Sequence, residues 1–82
     1  MHTIGLLLRA RLEHAAAVSV SISQLAGAEV HTADDHGRIV VTVERTVDAD
    51  LLEAHGQMMN IPGVLSSALV YHFFDADDKE EL

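Results

Sequence analysis

The sequence predicts an α+β fold in which four strands and two helices follow one another as β-α-β-β-α-β. Three observations carry this reading. Apolar residues alternate with period two in residues 3–10 and 38–44. They recur at three-and-four spacing in residues 12–25 and 48–60. Asp34-Asp35-His36-Gly37 and Pro62-Gly63 supply turns immediately ahead of extended runs.

Residues 3–10 form the first expected strand, β1. Ile4, Leu6 and Leu8 point one way, and Gly5, Leu7 and Arg9 the other. Both faces are largely apolar, which suits the centre of a sheet. Residues 12–25 carry two competing patterns. Val18-Ser19-Val20-Ser21-Ile22-Ser23 alternates with period two and favours a strand by local propensity. Leu12, Ala15, Val18, Ile22 and Leu25 trace a helical stripe, and Ala15-Ala16-Ala17 adds helix propensity. Helix α1 is the reading adopted, because a second strand directly after β1 leaves the sheet without cover. Gly27 is placed as its terminator.

Residues 28–33, with Val30 and Thr32 alternating against Glu29 and His31, have the polar profile of an edge strand, β2. The short turn at residues 34–37 joins it as a hairpin to β3, Arg38 to Glu44. There Ile39, Val41 and Val43 share one face, and Val40 and Thr42 the other. Asp48 is expected to cap helix α2, residues 48–60, with Leu51, Leu52, His55, Met58 and Met59 along one helical face. At least one of the two methionines is expected in the core. Gly56 inside this helix costs about 1 kcal/mol relative to alanine, and the sequence offers no reason for it. Asn60 and Pro62 end the helix.

Residues 63–74 supply β4. The more apolar set, Leu65, Leu69 and Tyr71, is expected inward, and Ser66, Ala68, Val70 and His72 outward. Phe73 and Phe74 follow where the chain leaves the sheet, and at least one must face solvent or a partner. Residues 1–74 thus read as one domain, and residues 75–82 as an acidic flexible tail. The order is that of the ferredoxin-like fold. Right-handed crossovers place both helices on one face of an antiparallel sheet of strand order 4-1-3-2. The other face stays open.

A chain of 82 residues has room for one core and little room for a deep active site. Its apolar fraction of 49% argues for a folded chain. Cysteine is absent, which removes disulfides, thiolate metal sites and a cysteine nucleophile. No stretch reaches the ~18 apolar residues of a membrane span, and residues 1–9 lack the leading charges of a secretory signal. A cytoplasmic address is expected, without membrane insertion. The formal charge is −8, with five of the thirteen acids between Asp75 and Glu81. Such a surface repels phosphate backbones and favours a basic partner. Nucleic acid is therefore not an expected ligand.

Nothing assembles a catalytic site: there is no Gly-x-Ser-x-Gly elbow, P-loop or Gly-x-Gly-x-x-Gly cradle. His31, Asp34, Asp35 and His36 are zinc or nickel ligand types. Their spacing matches no established site, however, and Asp-Asp-His-Gly is already explained as a turn. No metal and no cofactor is expected. The open sheet face is the better candidate. It would present Leu7, Arg9, Val40, Thr42, Ala68, Val70 and His72, a shallow seat for an apolar or amphipathic helix rather than a metabolite pocket. The same residues also suit an ordinary half-solvated sheet or a dimer surface.

Several blocks carry a family resemblance. They are Met1-His2-Thr3, Gly5-Leu6-Leu7-Leu8-Arg9-Ala10-Arg11, Gly27-Ala28-Glu29-Val30 and residues 37–44. Above all they include Pro62-Gly63-Val64-Leu65 with Leu69-Val70-Tyr71-His72 and an acidic end. Together these resemble the NapD family over most of the chain. The final block is the most specific, since Pro-Gly-Val alone recurs in many ferredoxin-like regulatory domains. Residues 24–28 depart from the pattern, reading Gln-Leu-Ala-Gly-Ala where a Pro-Gly turn is commoner, and α1 is unusually rich in serine.

The resemblance implies a cytoplasmic chaperone, not an enzyme. It implies binding of the twin-arginine signal peptide of the periplasmic nitrate reductase catalytic subunit precursor. The precursor would be held while molybdenum cofactor is inserted, before twin-arginine (Tat) export. The peptide would lie as a helix on the open face, against Leu7, Arg9, Val40, Thr42, Ala68, Val70 and His72, with Arg9 near its apolar end. The chaperone itself would be a monomer or weak dimer. The alternative is a ferredoxin-like regulatory or assembly module that dimerises or binds a small ligand through that face.

Overall fold

Alternation in two strands builds the core of the computed structural model, which describes residues 1–74. β1 (His2–Ala10) and β3 (Arg38–Arg45) pair antiparallel, with Ile4 opposite Val43, Leu6 opposite Val41 and Leu8 opposite Ile39. Directly opposed residues share a face, and all six of these are buried. β2 (Ala28–Ala33) and β4 (Val64–Phe74) flank the pair, giving the order β2-β3-β1-β4 with every neighbour antiparallel. This is the expected 4-1-3-2 sheet and the expected β-α-β-β-α-β chain order.

The helices close one face. α1 (Ala15–Ser23) follows a 3-10 turn at Leu12–His14. Val18 and Ile22 are its buried residues, and Leu25 packs against the core beyond its end. The period-three-and-four stripe therefore defeats the β-branched alternation, because only a helix covers the sheet. Leu12 departs from the stripe and is exposed, since the 3-10 turn breaks the helical phase ahead of Ala15. Gly27 lies beyond the helix end, in the turn that enters β2.

α2 (Asp48–Met59) buries Leu51, Ala54 and Met58. Its inner stripe thus runs through the small residue Ala54 rather than Leu52, which is 77% exposed, or Met59. Asp48 is the first helical residue and makes no cap; Val47 holds the extended cap position. Asp48 and Asp50 still place negative charge in the first turn, where the helix dipole favours it. No described helix is long and apolar enough to cross a membrane. The acidic tail expected at residues 75–82 lies outside the described residues.

The β2–β3 turn is organised by one carboxylate. Asp34 Oδ1 accepts the backbone N–H groups of His36 and Arg38, each at 2.9 Å, and Oδ2 accepts Arg38 Nε at 2.7 Å. The Arg38 backbone N–H is the largest cause of a carboxyl pKa lowered from 3.8 to about 2, with the His36 amide and the Arg38 guanidinium adding to it.

Asp34 yields a pH prediction. Its folded value lies below its ordinary one, so the turn's contribution is complete above pH 3.8 and is lost as the pH falls through about 2. Carboxyl-carbon NMR titration of Asp34 should give a midpoint near 2, with the Arg38 amide resonance moving over the same range. A second prediction concerns Gly56, whose missing Cβ faces open space with nothing within 4 Å. Gly56→Ala should stabilise the fold by about 0.5–1 kcal/mol, read from urea denaturation.

Candidate functional site

The open sheet face follows from the register. Thr3, Gly5, Leu7 and Arg9 of β1 lie opposite Glu44, Thr42, Val40 and Arg38 of β3. β4 adds Phe73, Tyr71, Ala68 and Ser66 opposite the same four β1 residues. On the far side, Glu29 and Thr32 of β2 lie opposite Thr42 and Val40. The face therefore has an apolar middle of Leu7, Val40, Ala68 and Tyr71, extended by Phe73. Arg9 and Arg38 stand together at one end, and Arg38 is paired with Asp34. Glu44 and Glu29 stand towards the other end. His31 bonds Thr42 across the strand pair, Nε2 to Oγ1 at 2.7 Å.

Tyr71 lies on this face because Gly5 has no side chain. A Cβ on Gly5 would collide with the Tyr71 ring. The ring covers the glycine backbone, so that Gly5 is buried while Tyr71 remains 45% exposed. An aromatic side chain on a cross-strand glycine shields main chain that would otherwise be bare to solvent.

Leu7, Arg9, Val40, Thr42 and Ala68 are brought together on the open face as expected, and Ser66 joins them. Other expectations for β4 fail. The strand carries two register breaks against β1, between Gly5 and Leu6 and between Arg9 and Ala10. Each break inserts a residue and reverses the alternation beyond it. Val70 and Leu65 are the inserted residues and have no opposed partner in β1. Beyond Val70, Tyr71 is turned outward rather than inward. His72, opposite Ile4, is turned to the helix side rather than the open side. Leu69 does face the helix side opposite Leu6, yet it is 62% exposed because no described helix covers it.

That gap is a groove of about 420 Å³ between α2 and β4. Ile4, Leu6, Leu51, Leu52 and Leu69 form its apolar walls, with Asp48, His55, Ser67 and His72 as its polar groups. His55, expected on one helical face with Leu51 and Met58, is half-buried and bonds Ser67 across the groove, Nε2 to Oγ at 2.7 Å. The hairpin cluster is different again. Asp34, Asp35 and His36 have ligand atoms within 4.8 Å of one another. Both Asp34 oxygens are occupied in the turn, however, and His31 is committed to Thr42.

Tyr71, Glu29, Glu44 and His31 are the open-face residues that sequence reasoning missed. The legible signal for Tyr71 was Gly5 in the middle of an otherwise bulky strand. The carboxylates were visible as outward positions of their strands but were not placed at one end of a shared face.

Comparison with known proteins gives a consistent result. A family model described as NapD protein matches residues 1–76. Chaperone NapD of Escherichia coli K12 is 31% identical over 77 residues, covering 88% of each chain, and chaperone NapD of Shigella flexneri matches to the same extent. The solution structure of the E. coli Tat proofreading chaperone protein NapD superimposes with a TM-score of 0.80 at 27% identity, over 98% of this chain and 85% of that one. A crystal structure of a Thermus thermophilus protein gives 0.75 at 22% identity, over 93% and 96%, a likeness of fold.

The Gly5–Tyr71 contact should be visible as energetic coupling. Gly5→Ala should cost about 1–3 kcal/mol, as overpacking does. Its cost should shrink towards zero in a Tyr71→Ala background, as read from a double-mutant cycle of urea unfolding.

Proposed function

This chain belongs to the NapD family of chaperones, and on that premise we propose that it binds a twin-arginine signal peptide on its open sheet face. The client is the precursor of a periplasmic nitrate reductase catalytic subunit. The chaperone holds it in the cytoplasm while molybdenum cofactor is inserted, and then releases it for Tat export. The role is one of binding, with no chemical step assigned to the chain.

The observation that carries this reading is the layout of charge and apolar surface along one face. From Thr3 to Arg9 the face runs about 20 Å at the rise of a strand. About 13 residues of helix span the same length, enough for an arginine pair followed by a short apolar segment. The Glu29 and Glu44 end suits the guanidinium groups, which form strong charge-assisted bonds to carboxylates. Leu7, Val40, Ala68, Tyr71 and Phe73 suit the apolar turns. Arg9 then lies towards the C-terminal end of the peptide helix, where its charge complements the helix dipole. The net charge of −8 favours encounter with a basic leader. Covering the arginine pair and the apolar segment denies both to the export machinery, and a shallow seat permits release.

Titration calorimetry with a synthetic twin-arginine leader tests the proposal, with a twin-lysine leader as control. Val40→Glu should weaken binding roughly 30-fold or more, the scale of losing an interface anchor, while the circular dichroism stays native. Glu44→Lys should narrow the preference for arginine over lysine. Absence of heat, together with unshifted open-face amides in NMR, would overturn the reading.

A further inference from the structure

We propose that His2, Asp48 and His72 form a binding site for a divalent first-row cation, zinc by ligand type, at the mouth of the groove between α2 and β4. The three side chains come from the start of β1, the first residue of α2 and the end of β4. Their ligand atoms lie within 4.8 Å of one another. His72 reaches this place only because the break at Val70 turns it to the helix side. There it is opposite Ile4 and a diagonal neighbour of His2.

The distances fit coordination better than hydrogen bonding. His2 Nδ1 and His72 Nε2 are 3.4 Å apart. Two ligands on a tetrahedral zinc, with bonds of ~2.0–2.1 Å, stand ~3.3–3.4 Å from each other. A direct N–H···N bond draws its nitrogens closer, to ~3.0 Å. Asp48 Oδ1 is 4.0 Å from His2 Nδ1, and the Asp48 side chain is 74% exposed, so a small rotation brings the oxygen to the same centre. His2 is held by its neighbours: its side chain is only 17% exposed, and its ring stacks on Phe74 with centroids 4.3 Å apart and on His72 at 5.6 Å. Two imidazoles and a carboxylate suit zinc. Three protein ligands leave a fourth position for water or for a donor from whatever occupies the groove.

Calorimetry of the full, untagged chain with zinc chloride, and visible spectroscopy with cobalt(II) chloride, test the site. One equivalent per chain is expected, with the d–d absorption of low-coordinate cobalt. His72→Ala and Asp48→Asn should each weaken zinc binding by more than ~10-fold, since even an outer-sphere change costs that much. Asp48→Asn alters an exposed oxygen and leaves the packing intact, so its loss is not one of folding. His36→Ala, in the hairpin cluster, should bind as the parent does. Parent-like affinity in His72→Ala or Asp48→Asn, loss of binding in His36→Ala, or no stoichiometric binding by the parent would overturn the assignment.

Discussion

The structure depends on the central β1–β3 ladder. Ile4, Leu6 and Leu8 interlock with Val43, Val41 and Ile39 on a single face, and both helices dock on that face. Val18 and Ile22 of α1, with Leu51, Ala54 and Met58 of α2, complete one continuous core. The two helices lie over one side of the four-stranded sheet and leave part of β4 bare there, at Leu69. Among the described residues, no element lies on the other side. The open face thus follows from the arrangement of the described elements.

β4 shows how an edge strand modifies that plan. It is the longest strand, and Leu65, Leu69, Val70, Tyr71, Phe73 and Phe74 are all exposed along it. A flat edge of this composition invites strand pairing with other chains. The two register breaks twist the edge away from flatness. They also divide its side chains: Tyr71 joins the open face through the space above Gly5, and His72 joins His2 and Asp48 beside the groove. One inserted residue, Val70, thereby assigns neighbouring side chains to different surfaces.

Along α2, the replacement of Leu52 by Ala54 in the buried stripe has the same origin as the groove. Ala54 is fully buried, where a small residue allows close approach to the sheet, and Leu52 instead lines the groove beside β4. Hydrophobicity ranks Leu52 above Ala54, but packing distance ranks them the other way.

The order of elements, the strand order and the open face were legible in the sequence, because alternation in β1 and β3 is strict and the crossover rules leave few topologies. The same alternation placed Leu7, Arg9, Val40 and Thr42 correctly. On β4 it held for Ser66, Ala68 and Leu69 and failed at Leu65, Val70, Tyr71 and His72, because local pattern carries no record of a bulge: an inserted residue is defined by the partner strand, not by its own chain. The facing of His72 and the meeting of His2 with Asp48 were therefore decided by tertiary pairing alone, and for Tyr71 the sequence held only the indirect signal of Gly5. Period two determines faces only while register is unbroken, and register is a property of two strands together.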